Sequence, residues 1–463
     1  MTIWVPQLPA TGTRYRALAE AIGEAIAEGE LAQGTRLPPQ RRLADALGVT
    51  VGTVTRAYAE AERRGLVEAR VGSGTYVRES RAVPAFRQVA GQDERSDIDL
   101  SLSLPPPHPD RPEGLAEALD ALRNDPVALL QAVDYQPEQG LDRHREVLAG
   151  WMTRLGMPVS AEELIVTQGG QHGIFLALQA LAQPGERVAA SALTYPGLIG
   201  AAQQLHLKPL RIPLDEDGMN TEALARLCHQ QPPRLVYVTP DQNNPTGACL
   251  SEARRHQLAE LARRHDFWIV EDGVQYLPPE ERGTPLYRLA PERTLYLFST
   301  SKVIAGGLRV GTLRAPQAVQ ARLGALQRAQ SWMVPPLMVE VVCRWIESGA
   351  AERLLAWQLD EIAARQALAR ERLAAFVPRS RPHGFHLWLP LPAGMRAAAL
   401  LESLADQGVR ATSAEPFCMG SEPAPQAVRP CVSAADSRVS LSRALDILVS
   451  VLQAPPATPW RTL

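Results

Sequence analysis

One lysine is conspicuous because this chain otherwise avoids lysine. Of its 48 lysine and arginine residues, only Lys208 and Lys302 are lysines, so arginine is used almost everywhere that a positive charge suffices. A lysine amine can lose its proton and condense with an aldehyde, which a guanidinium cannot do. Around Lys302, the side chains of Ser299, Ser301 and Arg309 offer hydroxyl and guanidinium donors that suit a phosphate. These residues predict an imine-forming lysine beside a phosphate-binding group.

Pyridoxal 5'-phosphate combines an aldehyde with a phosphate, so Lys302 is predicted to form a Schiff base with this cofactor. The alternative is a surface lysine that happens to precede the glycine-rich turn at residues 306–307. No metal site is predicted. The five cysteines form no C-x-x-C pair, and this pattern, with no secretory leader and no long apolar run, predicts a cytoplasmic protein without a membrane span.

Strand-like runs alternate with helical patterns between residues 164 and 299. This alternation predicts an α/β fold with a mostly parallel sheet and a ligand site at the carboxyl ends of its strands. A dinucleotide site is disfavoured because no G-x-G-x-x-G motif follows a strand where one would be needed, and a P-loop is absent. Six candidate cofactor residues stand at or just after the predicted strand ends: Gly169, Gly170, Gln171, Tyr195, Asn244 and Asp272.

Each of these candidates has a functional reading and a plainer alternative. The N–H groups of residues 169–171 open a helix and suit a phosphate, although a glycine turn also serves packing. Asp272 could keep a pyridine nitrogen protonated, or it could cap a helix or form an ion pair. Tyr195 could stack on the cofactor ring or simply pack, and Asn244 could bond the phenolic oxygen or belong to an ordinary turn. Their joint order along the chain favours the cofactor site.

That order resembles the fold-type I aminotransferases from about Leu100 to the end of the chain. The resemblance rests on Ser-x-Ser-Lys, followed seven residues after the lysine by Arg309 in Gly-Leu-Arg-x-Gly, together with the strand-end residues. It implies that Tyr135 reaches the phosphate of the partner subunit's cofactor. It also implies that Arg429 binds a substrate α-carboxylate, the alternative being that it is simply a surface residue, one of the chain's 46 arginines.

Two departures from the aminotransferase pattern bear on activity. The family usually has a tyrosine two or three residues after the cofactor aspartate, where this chain has Val274 and Gln275, and Tyr276 comes one step later. Pro430 follows Arg429 where an aliphatic residue is more usual. Transaminase turnover is therefore left open, and slow transamination at most is expected.

The first 79 residues predict a DNA-binding module. Leu18, Ile22 and Ile26 recur at helical spacing, a second short helix follows Pro38-Pro39, and Gly48 precedes a third helix capped by Thr50. Two short strands then form a hairpin or wing. This arrangement is typical of a winged helix-turn-helix, although a small protein–protein module is the alternative. The predicted DNA-binding residues lie on helix two, on helix three and at the wing: Arg41, Arg42, Thr53, Thr55, Arg56, Arg70 and Gly72.

Motifs across this module resemble the GntR winged-helix family. They include Gly-x-Arg-Leu-Pro at residues 34–38, Thr-Val-x-x-Ala-Tyr at 53–58 and Gly-Ser-Gly-Thr-Tyr-Val at 72–77. Joined to the aminotransferase-like part, they resemble the MocR-type regulators. The predicted domains are the winged helix at 1–79, a linker at 80–97 and an aminotransferase-like effector domain at 98–463.

This architecture predicts a regulator of transcription that binds double-stranded DNA and senses a small amino compound, or pyridoxal phosphate itself, as a homodimer. A working aminotransferase of an amino acid is the alternative function. Either a swapped or a compact dimer fits a linker of this length. The net charge of −2 gives no global signal for nucleic acid, so a local patch would have to contact DNA.

Overall fold

Two compact units, Met1–Gly91 and Gln92–Leu463, divide the chain. The structure, a computed structural model, describes residues 4–6, 8, 13–27, 30–32, 34–63, 66–70, 74–77, 97–420 and 422–453. Almost all of the predicted linker at residues 80–97 falls outside these ranges. The predicted domain bounds at 79 and 98 therefore remain predictions.

The first unit contains three helices followed by a two-stranded antiparallel hairpin. Its elements are α1 (Arg14–Ala27), α2 (Gln40–Leu47), α3 (Val51–Arg63), β1 (Val67–Arg70) and β2 (Gly74–Val77). Gly48 ends α2 in the left-handed conformation, at φ 63°, which a glycine adopts without strain. Thr50 Oγ1 accepts a hydrogen bond of 3.2 Å from the N–H of Thr53, so the predicted cap of α3 is present. This is the predicted winged helix-turn-helix.

The core of this unit is built from one face of each helix. Leu18 and Ile22 from α1, Leu43 from α2 and Val54 from α3 are fully buried together. Helical spacing within α3 also predicts a buried Val51, which is wrong because this residue is 40% exposed at the first position of the helix. At a helix start, no preceding turn covers the side chain, so helical spacing alone overestimates its burial.

The described residues of the second unit form an α/β structure with thirteen α-helices. These are α4 (Asp110–Arg123), α5 (Pro126–Val133), α6 (Asp142–Arg154), α7 (Gly169–Leu181), α8 (Pro196–Gln204), α9 (Thr221–Gln230), α10 (Glu252–His265), α11 (Leu286–Leu289), α12 (Gln317–Ser331), α13 (Pro336–Glu347), α14 (Ala350–Arg372), α15 (Ala397–Asp406) and α16 (Arg438–Gln453). Within the described ranges, no helix combines the length and the apolar composition that a membrane crossing requires.

Fifteen strands are also present in the described part of this unit. They are β3 (Ile98–Asp99), β4 (Leu164–Thr167), β5 (Arg187–Ser191), β6 (Lys208–Ile212), β7 (Leu214–Asp215), β8 (Gly218–Met219), β9 (Leu235–Val238), β10 (Trp268–Asp272), β11 (Thr294–Ser299), β12 (Gly311–Arg314), β13 (Arg379–Ser380), β14 (Leu387–Pro390), β15 (Val409–Arg410), β16 (Thr412–Ser413) and β17 (Ala427–Arg429).

Seven of these strands form the central sheet, in the order β4-β12-β11-β10-β9-β5-β6. Only β12 runs against its neighbours, so the predicted mostly parallel sheet is confirmed. Helices cover both faces of the sheet, and β4, β9 and β11 are buried along their whole length. Because parallel strands end at the same edge, the residues that follow them are brought together there.

A smaller antiparallel sheet, in the order β13-β14-β17-β16, lies towards the end of the chain. Strand β3 pairs in parallel with β15, so the first described residues of this unit are tied to this part of the fold. Leu387, Leu389 and Val428 pack one face of the small sheet against a core that includes helices α15 and α16. The opposite face is available to contribute to a site.

Candidate functional site

Asp272 ends β10 with its carboxylate buried, and it is held by two donors. The hydroxyl of Tyr237, on the neighbouring strand β9, donates to Oδ2, and the N–H of Val274 donates to Oδ1 at 2.9 Å. Burial raises the pKa of Asp272, while these two hydrogen bonds and the nearby Lys302 act in the opposite direction. The adjacent Glu271 points to the other face of the strand, where its carboxylate accepts from the N–H groups of Leu286 and Tyr287.

Lys302 lies just after β11, in a short 3₁₀ turn. Its Nζ donates to the backbone oxygen of Ser103, and its own carbonyl accepts from Gln358 Nε2 at 2.7 Å. Removal of the amine from water lowers the pKa of Lys302 to about 8; Arg429 and Arg309 also lower it, while Cys431 and Asp272 oppose the shift. A substantial fraction of this amine is therefore unprotonated and nucleophilic near neutral pH.

The predicted phosphate end brings four residues together. Gly169 starts α7 at φ 76°, and a Cβ on it would lie 2.6 Å from Arg309 Nη2, so only glycine allows the guanidinium this approach. Arg309 Nη2 also donates to the backbone oxygen of Gln168 at 3.3 Å. Ser299 Oγ lies 3.0 Å from Ser301 Oγ and accepts from the Ser301 N–H at 3.2 Å. Backbone N–H groups, hydroxyls and a guanidinium thus converge at one helix start.

Gln171 and Tyr195 border this end of the site. Gln171 Nε2 donates to the carbonyl of Gly197 at 3.0 Å, which ties α7 to the start of α8, and its buried Oε1 has no partner among the described residues. Tyr195 precedes α8. Burial is the main cause that raises the pKa of Tyr195; Asp272 adds to the rise, whereas Arg309 and Arg429 oppose it, so the ring lies among the site's charged groups.

Arg429 on β17 is buried at the opposite end of the site. Its Nη1 donates to Asn244 Oδ1 at 3.1 Å, its Nη2 donates to the backbone oxygen of Ser101, and its guanidinium lies 4.9 Å from the centre of the Phe417 ring. Nε of Arg429 has no hydrogen-bond partner in the described part of the chain. The surface alternative for this arginine is excluded because only 5% of the residue is exposed.

Tyr135 is the one predicted cofactor residue that the structure does not bring to the others. It follows α5 with 80% of its surface exposed, and its ring lies 5.7 Å from that of the exposed Trp332. The role implied for it lies in a partner subunit's site, so its exposure in a single chain is compatible with that prediction.

Sequence reasoning missed Tyr237, the hydroxyl that orients Asp272. The family pattern places a tyrosine just after the aspartate instead. Here Val274 packs beside Gly170, and the ring centre of Tyr276 lies 5.2 Å from the guanidinium of Arg282. The one available signal was a tyrosine within the buried run of β9, because a buried hydroxyl needs a partner. Identifying that partner required the pairing of β9 with β10.

The predicted DNA-binding residues occupy two positions on the first unit. Arg41 and Arg42 are exposed in the first turn of α2. Thr53, Thr55 and Arg56 lie in the first two turns of α3, where the Thr55 hydroxyl donates to Gln40 at 2.7 Å and Arg56 lies over the ring of Tyr15. The side chain of Arg70 and the whole of Gly72 lie outside the described residues.

The residues at the strand ends fit pyridoxal phosphate. A phosphate suits the donors around Gly169 and Arg309, a pyridine nitrogen suits the oriented Asp272 carboxylate, and an aldehyde suits the amine of Lys302. Independent support comes from polar atoms that are buried and unpaired among the described residues, namely Gln171 Oε1 and Arg429 Nε. Buried polar atoms normally have partners, so these two indicate places for a bound group.

Comparisons with known proteins agree with this architecture. Residues 14–77 match the gntR family of bacterial regulatory proteins, and residues 121–448 match aminotransferase class I and II. The uncharacterized HTH-type transcriptional regulator YdeF of Bacillus subtilis is 29% identical over 460 residues, which cover 97% of this chain and 96% of YdeF. The HTH-type pyridoxine biosynthesis transcriptional regulator PdxR of Corynebacterium glutamicum is 30% identical over 73% of each chain.

Among solved structures, the kynurenine aminotransferase of Pyrococcus horikoshii, crystallised with PMP and kynurenine, has a TM-score of 0.69. It is 24% identical, and the alignment covers 78% of this chain and 91% of that one. This likeness concerns the fold alone. Because the two family models match residues 14–77 and 121–448, and YdeF is similar over nearly the whole chain, the chain belongs to the MocR-type regulators of the GntR family, in which a winged helix-turn-helix is fused to an aminotransferase class I and II domain.

Proposed function

We propose that this transcriptional regulator binds pyridoxal phosphate at Lys302 and changes its affinity for DNA when an amino compound enters the same site. The observation that carries the proposal is the convergence of Asp272, Lys302 and Arg309 at one sheet edge, with Arg429 facing them from the small sheet. When bound, the cofactor supplies an aldehyde that condenses with amines and a ring that withdraws electrons.

The chain's own residues divide the work of binding. Asp272, oriented by Tyr237 and by the Val274 N–H, keeps a proton on the pyridine nitrogen. Ser299, Ser301, Arg309 and the start of α7 bind the phosphate. Lys302 offers an amine whose lowered pKa favours attack near neutral pH. An amino compound that entered the site would compete with this amine for the cofactor's aldehyde group, and its binding would change the charge and position of Lys302.

A short segment connects this site to the chain that leads towards the DNA-binding unit. Lys302 and Arg429 both donate to backbone oxygens of residues 101–103, which follow β3 directly after the predicted linker. A ligand that engages both side chains must replace these two hydrogen bonds. Release of the segment would alter the strand pairing of β3, which gives the site two states with different contacts.

Exposed apolar residues on the second unit support the proposed homodimer. Val133 and Tyr135 are each about four-fifths exposed. The full set lies on α4, on α5 and just beyond α5, together with one residue after α12: Leu115, Leu119, Val127, Leu129, Leu130, Val133, Tyr135 and Trp332. Exposed apolar patches of this kind mark association sites. A second copy placed there would bring Tyr135 towards the partner subunit's site, as the family resemblance implies.

The test is a footprint on DNA upstream of the protein's own gene, with and without pyridoxal phosphate and with added amino compounds. Protection of two half-sites that changes on addition of an amino compound is the expected result. A change caused by the cofactor alone would instead make pyridoxal phosphate the signal. If no DNA is protected at low salt, the chain's role as a regulator at this site is contradicted.

DNA contact can be tested on the first unit separately. Substitution of Arg41 or Arg42 by alanine should weaken binding to all sequences and lower the slope of log affinity against log salt by about one. Arg16→Ala, which alters an exposed arginine on α1, is the matched control. An unchanged salt slope in both α2 variants would exclude these two residues from the phosphate contacts.

Slow transamination is the second candidate activity, and the intact pair of Asp272 and Lys302 favours it. Turnover with an amino donor and a keto-acid acceptor at about 1 per second or faster would indicate an enzyme. We expect rates orders of magnitude lower, because a regulator that converted its effector quickly would not keep the effector bound.

A further inference from the structure

The antiparallel pairing of the small sheet places His386 on the same face as Arg429. His386 bridges Cys431, and three residues further along, Leu389 pairs with Val428. Side chains alternate along a strand, so His386, Cys431 and Arg429 point to one face, whereas Leu389 and Val428 enter the core behind the sheet. His386 is therefore directed to the side on which Arg429 faces Lys302.

Both ring nitrogens of His386 are buried and without hydrogen-bond partners among the described residues. The residue is 0% exposed. The backbone of Asn243 lies close enough to raise the pKa of His386, but neither ring nitrogen meets the geometry of a hydrogen bond. Buried imidazoles almost always have hydrogen-bond partners for both ring nitrogens. His386 therefore has an N–H donor without a partner in the described structure, in a part of the fold that solvent does not reach.

Burial, together with nearby positive charges, keeps the ring of His386 neutral. Burial is the main cause that lowers the pKa of His386 to about 3, and the positive charges of Arg429 and Lys302 add to it. A neutral imidazole has one N–H donor and one acceptor nitrogen. Beside two cations, an anionic ligand group is favoured and a further cation is opposed.

We propose that His386 contacts the effector and, together with Arg429, binds its carboxylate. This inference rests on the proposed function and narrows it, because the effector would be an amino acid rather than a simple amine. Arg429 Nε is unpaired and His386 has an unpaired N–H, so the two side chains can supply donors to both oxygens of one carboxylate. Asn244 positions the arginine through the 3.1 Å hydrogen bond to its Nη1.

The experiment compares His386→Phe, which keeps an aromatic ring but removes the donor, with His386→Gln, which keeps an amide donor. Dissociation constants are measured by calorimetry on the cofactor-loaded full chain. The probes are the common L-amino acids and the amines that result from their decarboxylation, such as L-tyrosine and tyramine. For any amino acid that binds the unaltered protein, His386→Phe should weaken binding by about tenfold or more, whereas its amine should be unaffected. His386→Gln should retain most of the affinity.

Two controls separate ligand contact from a packing role. His265→Phe alters a histidine at the end of α10 and should change neither constant. In a double-mutant cycle, His386→Phe and Arg429→Gln should be non-additive if both side chains hold the same carboxylate. Thermal unfolding of each variant shows whether it is folded, and His386→Leu, which also removes the donor, replaces His386→Phe if that variant is not.

Each outcome bears on a different claim. Equal affinity of His386→Phe and the unaltered protein for the amino acid would overturn the role of His386 and leave the proposed function standing. Equal losses for the amino acid and its amine would overturn the carboxylate contact. If only amines bind the unaltered cofactor-loaded protein, this inference is overturned and the proposed function stands; if neither amino acids nor amines bind, the proposed sensing function is overturned as well.

Discussion

The site has a cofactor end, around Asp272, Lys302 and Arg309, and an effector end, around Arg429 and His386. The two ends differ in how completely their polar groups are paired. At the cofactor end, the carboxylate of Asp272 has Tyr237 and the Val274 N–H as donors, and Ser299 is bonded to Ser301. At the effector end, several buried atoms lack partners among the described residues: Arg429 Nε, both ring nitrogens of His386, Gln242 Nε2 and Ser103 Oγ. At the cofactor end only Gln171 Oε1, at its border, is unpaired in the part of the chain that the structure describes, so this end is largely organised before any ligand arrives, whereas an end with several unpaired atoms gains most from one.

The largest expected effect is on the cofactor end. Lys302→Ala should abolish covalent attachment of pyridoxal phosphate, because no other residue offers an amine there. The measurement is the mass of the protein after incubation with the cofactor and borohydride reduction. Lys208→Ala, which removes the only other lysine of the chain, is the matched control and should label fully. A labelled Lys302→Ala protein would show that the amine lies elsewhere.

The next effect should appear only at the effector end. Arg429→Gln should weaken amino-acid binding by about a hundredfold or more, since it removes a buried charged partner of a carboxylate. Cofactor attachment at Lys302 should persist, which is checked by the same mass measurement. Arg211→Gln, at a partly exposed ion pair with Glu422, serves as the control. If cofactor attachment and effector binding fall together, the two ends are not independent.

A smaller effect tests the pairing of Asp272. Tyr237→Phe removes the hydroxyl donor, which should raise the pKa of the Asp272 carboxyl further and lower cofactor affinity by about tenfold. Equilibrium titration of the cofactor-free protein measures it. Tyr296→Phe is the comparison, because that buried hydroxyl contacts Met157 Sδ rather than the site. Equal behaviour of the two variants would remove Tyr237 from the site.

The smallest expected effect is the pH dependence of cofactor attachment. The pKa of Lys302 is lowered from 10.5 to about 8, so its reactive, unprotonated form increases as the pH rises through 8. The initial rate of attachment should rise about fourfold between about pH 7.5 and about pH 9 and then level off. A model peptide with an exposed lysine should continue to gain rate above that range. A continued rise in the protein would indicate an amine in ordinary solvent.

Particular residues show how far the sequence could be interpreted. Lys302 was identifiable because lysine is so rare in this chain, and the strand ends that carry Asp272 and Gly169 follow from local patterns of apolar residues. Tyr237 was missed because its role depends on the pairing of β9 with β10, two strands separated by helix α10 in the chain. His386 gave no local signal, since its neighbour Arg429 lies 43 residues further along the chain, across an antiparallel pair.

The sequence by itself determined the two kinds of unit, the mostly parallel sheet and the residues that can form an imine, bind a phosphate or hold a pyridine nitrogen. These depend on local periodicity and on functional groups, which are properties of short stretches. Only the tertiary structure decided which side chains share a face, which buried polar atoms are left unpaired and how far the pKa of Lys302 falls. These depend on burial and on long-range pairing, which no short stretch contains.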